Sequence, residues 1–154
     1  MLNTLPRIPL FEDLTEEQTR LVKPLFETVL AAPNKTLIHQ GEPAVYLYII
    51  LEGIALIHYK PYDAPALALT RLRAGDAFGW SAVTGSLFYS SSIISETNLE
   101  AIRIKRKALL QIVEQYPETG GIILERLALS VSPRWRHARQ QVEQILRARS
   151  QKET

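Results

Sequence analysis

The sequence predicts a mainly β fold with flanking helices, and three observations carry that expectation. From Phe26 to about Ile104, short apolar or alternating runs are separated by turn residues at the spacing of an all-β sandwich or barrel. A helix-capping pattern precedes this region, and apolar residues at helical spacing follow it. The chain has 154 residues, 46% hydrophobic and 22% charged, which is the size and balance of one globular domain.

The elements follow in order. Thr15 with Gln18 three residues on is a capping box, and Glu16 and Glu17 favour the helix dipole. Pro24 keeps this helix short, and Leu10, Phe11, Leu14, Leu21 and Leu25 supply its contacts to a core. The candidate strands are Glu27–Ala31, Thr36–His39, Leu47–Leu51, Ile54–Lys60, Leu67–Leu72, Ser90–Ile94 and Leu99–Ile104. The run from Tyr46 to Leu51 is the most apolar and is expected to be the central strand, with Gly53 closing a hairpin after it. A helix over 107–116 carries Leu109, Ile112 and Val113 on one face and stops at Pro117. These elements make a first unit, 1–118, followed by a helical segment, 119–154. In that segment Leu124, Ala128, Val131, Trp135, Ala138, Val142 and Ile145 alternate in steps of four and three, a heptad seam that predicts a parallel homodimer. The competing reading is a helix packed on its own barrel. Ser132-Pro133 predicts a break or kink within the segment.

Several function classes are excluded or disfavoured. The absence of cysteine rules out disulfides, thiol catalysis and cysteine-based metal sites. The N-terminus has no signal-peptide pattern, and no window approaches the ~20 apolar residues of a membrane span. A cytoplasmic protein without membrane contact is expected. His39, His58 and His137 lack the spacing of a metal site or the context of a haem ligand, and no nucleophile-elbow pattern is present. No enzyme, catalytic residue, metal or cofactor is expected.

The chemistry concentrates in Gly75-Asp76-Ala77-Phe78-Gly79-Trp80-Ser81-Ala82-Val83 and in Ser90-Ser91-Ser92. The stretch reads as a tight Gly-Asp turn, a short helical turn and then a strand. Gly75 allows positive φ, Asp76 can bond its own following backbone, and Gly79 permits a close approach. Free N–H groups at a helical start attract an anion.

With Gln40-Gly41-Glu42, Tyr48-Ile49-Ile50-Leu51-Glu52-Gly53, Leu72-Arg73-Ala74-Gly75-Asp76 and Phe78-Gly79, the chain resembles the cyclic-nucleotide-binding domain of the Crp–Fnr regulator superfamily over roughly 8–149. The resemblance implies an eight-stranded double-sheet jelly roll, a double-stranded β-helix, with flanking helices and a long C-terminal dimerisation helix. In members that bind cyclic nucleotides, Phe-Gly is followed by a Glu for the ribose and later by an Arg for the cyclic phosphate. Here Trp80 holds the Glu position and Tyr89 the Arg position, while Ser90 and Ala82 keep the family's small residues. A tyrosine offers one hydroxyl and no charge, and losing a buried charge-assisted bond costs ~2–5 kcal/mol. Tight binding of cyclic AMP or cyclic GMP is therefore disfavoured, unless another arginine such as Arg71 or Arg73 supplies the charge.

The candidate ligand-binding residues are Phe78, Gly79, Trp80, Ser81, Ala82, Tyr89, Ser90 and Ser91, suited to a neutral or weakly anionic flat molecule. The expected function is a regulatory sensor module with a degenerate phosphate cassette. The alternatives are a dimeric scaffold whose pocket Trp80 plugs, and weak nucleic-acid association through basic residues between Arg134 and Lys152. Family transcription factors carry a helix-turn-helix after the long helix. The sequence ends at Thr154, so DNA reading by this chain alone is not expected: the reading is either a stand-alone sensor domain or an output that lies in another chain.

Overall fold

The computed structural model describes residues 9–59, 67–79 and 87–130. Strands β1 (Phe26–Ala31), β2 (Thr36–Ile38), β3 (Tyr46–Glu52), β4 (Ala55–Tyr59), β5 (Leu67–Leu72), β6 (Ala77–Phe78), β7 (Ser92–Ser95) and β8 (Leu99–Lys105) form two antiparallel four-stranded sheets. Their orders are β1-β8-β3-β6 and β2-β7-β4-β5. Helices α1 (Glu16–Val22), α2 (Arg106–Gln115) and α3 (Pro117–Leu129) flank them, giving the mainly β jelly roll that the resemblance implied.

Local chemistry explains the helix ends. Thr15 Oγ1 accepts from the Gln18 N–H at 3.1 Å, and the Thr15 N–H donates to Gln18 Oε1 at 3.0 Å, so the capping box forms as expected. Past Val22 the chain tightens into a 3-10 turn, Lys23–Leu25, around Pro24. Pro117 starts α3 as well as stopping α2, since a missing N–H costs nothing in a first helical turn. At Gly120 a Cβ would strike the Val113 backbone, so this glycine lets α2 and α3 cross closely.

The first sheet separates two apolar clusters. Toward the helices it presents Phe26, Leu47, Ile49, Ala77, Ile102 and Ile104, packed with Phe11, Val22, Leu109, Ile112, Ile123 and Leu127. Toward the second sheet it presents Tyr48, Ile50, Phe78, Leu99 and Ala101, opposite Ile38, Ala55, Ile57, Leu72 and Ile93. Successive residues of β3 and β8 thus serve opposite clusters, as the two-residue strand period requires.

Three expectations need correction. Gly53, at φ +100°, does not close a hairpin: β3 and β4 belong to different sheets, and a Cβ there would strike the Asn98 carbonyl. The strand from Ser90 begins instead at Ser92. Directly after the Gly-Asp turn, Ala77–Phe78 forms a short strand on β3 absent from the expected strands, while Trp80 and Ser81 of the expected helical turn lie outside the described residues.

The heptad seam is described only at its start. Ile123 and Leu127 are fully buried in the domain's own core, and Leu124 is partly buried against the same cluster. Ala128 lies within α3, while Val131, Trp135, Ala138, Val142, Ile145 and Pro133 lie outside the described residues. The basic stretch Arg134–Lys152 lies outside them too.

Candidate ligand site at the cassette strand

The site is built from the turn before β6. Gly75, at φ +93°, donates its N–H to the Ile50 carbonyl at 2.8 Å, and the Ile50 N–H returns a bond to the Asp76 carbonyl at 3.0 Å. The Asp76 carboxylate accepts from the Arg73 N–H at 2.9 Å, so it caps the backbone before it and not the one after. This fixes β6 in register on β3, with Ala77 opposite Ile49 and Phe78 opposite Tyr48. On its other edge, the Ala77 N–H donates to the Ser130 carbonyl at 2.7 Å, just past the end of α3.

Phe78 is buried and stacks on Tyr48, with centroids 4.7 Å apart and planes at 9°. Gly79 follows at φ +83°, and a Cβ there would stand 2.7 Å from the Tyr46 carbonyl oxygen and 3.2 Å from Ile38 Cδ1. The close approach expected of Gly79 is real, and its partner is the protein's own backbone. Trp80, Ser81 and Ala82 lie outside the described residues.

Tyr89, which the sequence resemblance set at the position of the family's arginine, is buried and engaged. Its hydroxyl donates to the Tyr46 carbonyl at 2.6 Å and accepts from the Tyr46 N–H at 2.8 Å. Burial pushes this phenol up to about 12, against the opposing pull of those hydrogen bonds and of the Arg103 charge. Its own backbone is stitched to the preceding loop, to Glu42 O and from the Gly41 N–H, both at 2.9 Å. Ser90 is half-buried and Ser91 buried beside it, and Ser92 Oγ accepts from the Gln40 N–H at 2.8 Å. The structure thus brings Phe78, Gly79, Tyr89, Ser90 and Ser91 to one end of the inter-sheet space.

Sequence reasoning missed Arg103. Counting along β8, Leu99, Ala101 and Arg103 share the face that looks toward the second sheet, and Arg103 lies opposite Tyr48 on one side and Glu27 on the other. Its guanidinium carbon stands 3.9 Å from the Tyr46 ring centroid. A cation at an inward position of an alternating strand was the available signal. Arg71, one alternative cation, is committed elsewhere: both oxygens of Glu96 lie within 3.2 Å of its Nε, and Oε1 is 3.1 Å from Nη2. At the far end of the first sheet, a groove of about 590 Å³ is lined by Leu30, Ala31, Ala32, Glu52, Asn98, Leu99 and Glu100, carboxylates without a cation. Among the described residues no cluster could hold a metal ion, and no helix is long and apolar enough to cross a membrane.

Comparison with known proteins gives a consistent picture. The cyclic nucleotide-binding domain family matches residues 28–116, more than half of the chain. The cAMP-activated global transcriptional regulator CRP of Pasteurella multocida is 31% identical over 116 residues, 73% of this chain and 53% of that protein. The chain spans about half the length of the curated relatives it matches. Among solved structures, a cyclic nucleotide-binding domain from Methylobacillus flagellatus superposes with a TM-score of 0.73 at 23% identity, covering 92% of this chain and 79% of that one. The c-di-GMP responsive global regulator CLP of Xanthomonas campestris superposes with a TM-score of 0.69 at 16% identity, covering 86% of this chain and 65% of that one. At those identities the likeness is one of fold.

Proposed function

The chain belongs to the cyclic nucleotide-binding domain family, and on that premise we propose that it is a cytoplasmic, non-enzymatic regulatory sensor module whose pocket takes a small ligand other than cyclic AMP or cyclic GMP. One observation carries this reading. The hydroxyl of Tyr89, which the sequence resemblance aligns with the family's phosphate-binding arginine, is spent on the Tyr46 backbone. What remains near the cassette is the half-buried Tyr46 ring, an aromatic contact for a flat molecule. The Xanthomonas regulator, described as responsive to cyclic di-GMP, is a precedent for a different ligand on this fold.

The mechanism follows from how β6 is held. It is bonded to β3 on one edge and to the Ser130 carbonyl on the other. A ligand that moves Phe78 moves Ala77, and with it the hydrogen bond at the end of α3. By analogy with the family, such a shift would alter how two chains pair as a homodimer through the sequence-predicted seam that continues beyond Leu124.

Thermal unfolding with cyclic AMP, cyclic GMP, cyclic di-GMP and common nucleotides tests the reading. A true ligand at 100 times its Kd adds ~2.7 kcal/mol. The expected outcome is little response to the two cyclic mononucleotides and a saturable rise with another compound. A panel with no response favours the second reading, a dimeric scaffold with a closed pocket, which the engaged Tyr89 hydroxyl also fits.

A further inference from the structure

The two arginines with carboxylate partners on the strands are not held alike. On Arg71, Nε and Nη2 both meet Glu96, filling the side of the guanidinium that binds an oxyanion with two parallel bonds. Arg103 has the same fork, but only half of it is used. Its Nη2 meets Glu27 at 3.3 Å, Nη1 makes a long contact of 3.4 Å to the Tyr48 hydroxyl, and Nε is buried without a partner. A buried donor of a charged group left unpaired is costly and calls for an explanation.

Its surroundings supply one. Arg103 lies in a row across the first sheet, Glu27–Arg103–Tyr48–Phe78, and the Tyr46 ring covers one face of the guanidinium. The row ends at the residue that begins the cassette. The cation therefore lies on the same inter-sheet face of the first sheet as the aromatic stack, with Tyr46 between it and Tyr89.

We propose that Arg103 is the cation of an oxyanion subsite on the inner face of β8, through which the pocket takes a flat-ringed ligand bearing a phosphate or carboxylate. The inference rests on the sensor reading and adds a charge requirement to it. The ring lies beside the half-buried Tyr46, the oxyanion takes the Nε–Nη2 fork, and Glu27 is the competitor it displaces. The positive charge absent from position 89 is thus delivered from a different strand.

The test uses the full chain and two matched pairs of probes: phenyl phosphate with phenol, and benzoate with benzamide. Titration calorimetry at low ionic strength is expected to show one anion binding about tenfold or more tightly than its neutral partner. Which pair discriminates separates phosphate from carboxylate. Arg103→Gln collapses that ratio, and Arg103→Lys retains part of it. Because Arg103→Gln also removes a strand contact, Glu27→Gln is the cleaner probe. Freeing the fork at an exposed edge raises anion affinity several-fold, whereas a purely structural Arg103–Glu27 pair leaves it unchanged. Equal binding of anion and neutral partner, or a ratio that survives Arg103→Gln, overturns the subsite while leaving the sensor reading intact. Absence of binding by all four probes up to about 5 mM also overturns the subsite, and the sensor reading then stands or falls on the broader thermal panel alone.

Discussion

The two faces of the first sheet are made from the same strands and do different work. Toward the helices, β3 and β8 contribute Leu47, Ile49, Ile102 and Ile104, all aliphatic and buried. One residue over, on the face toward the second sheet, the same strands contribute Tyr46, Tyr48 and Arg103 near the cassette. The helix-side face gains from burial alone. The inter-sheet face gives up apolar packing at one end for rings, hydroxyls and a charge. The difference teaches that, under the proposed sensor reading, stability and recognition are divided by residue parity and not by region of the chain.

If so, damage to the helix-side face should be the most destructive. Ile102→Ala is expected to cost ~2–5 kcal/mol in chemical denaturation, because a fully buried branched side chain leaves a cavity between sheet and helices. A cost under ~1 kcal/mol would show that this face is loosely packed and weaken the contrast. On the other face, Gly79→Ala places a methyl 2.7 Å from the Tyr46 carbonyl at a positive φ, and a loss of ~1–3 kcal/mol is expected. Any ligand binding found for the wild type should weaken with it.

Tyr89→Phe sharpens the comparison further. It keeps the ring and removes the hydroxyl, leaving the Tyr46 N–H and carbonyl without that partner, at ~1–3 kcal/mol. The substitution also has a pH signature. The phenol titrates near 10 when unfolded and about 12 when folded, so its contribution is full below pH 10 and is lost as pH rises through about 12. Stability measured across that window should fall more steeply in the wild type than in Tyr89→Phe. The smallest effect belongs to the Arg71–Glu96 pair at the surface. Arg71 holds the Glu96 carboxyl below its usual value, so the pair's contribution is present above the unfolded carboxylate range and is lost as pH falls through the depressed value. Glu96→Gln should remove that acid-side dependence while barely changing stability in high salt.

Much of the fold was legible because its signals are local. The Thr15–Gln18 box, the β3 run and the turn at Gly75 each depend on residues within a few positions of one another. β6 was not legible, since two residues carry no periodicity, and its strand character comes from β3. The Gly53 turn misled for a related reason. Its neighbours look like hairpin strands, yet each finds partners far along the chain, β8 for β3 and β7 for β4. The site divides the same way. Gly79 was readable as a point of close approach, but the role of Tyr89 depends on the Tyr46 backbone 43 residues away. Arg103 acquires its meaning only when β1, β8, β3 and β6 lie side by side.

The Tyr89 hydroxyl has one more effect, on how the molecule behaves toward its own kind. A strand end with a bare N–H and carbonyl is a template on which a foreign strand can grow. At Tyr46 both groups are covered by a phenol that donates and accepts as a peptide would. A side chain can swing aside where a paired strand must be peeled away. With that cover in place, this end of β3 offers no bare peptide pair at Tyr46 on which a foreign strand could begin to grow.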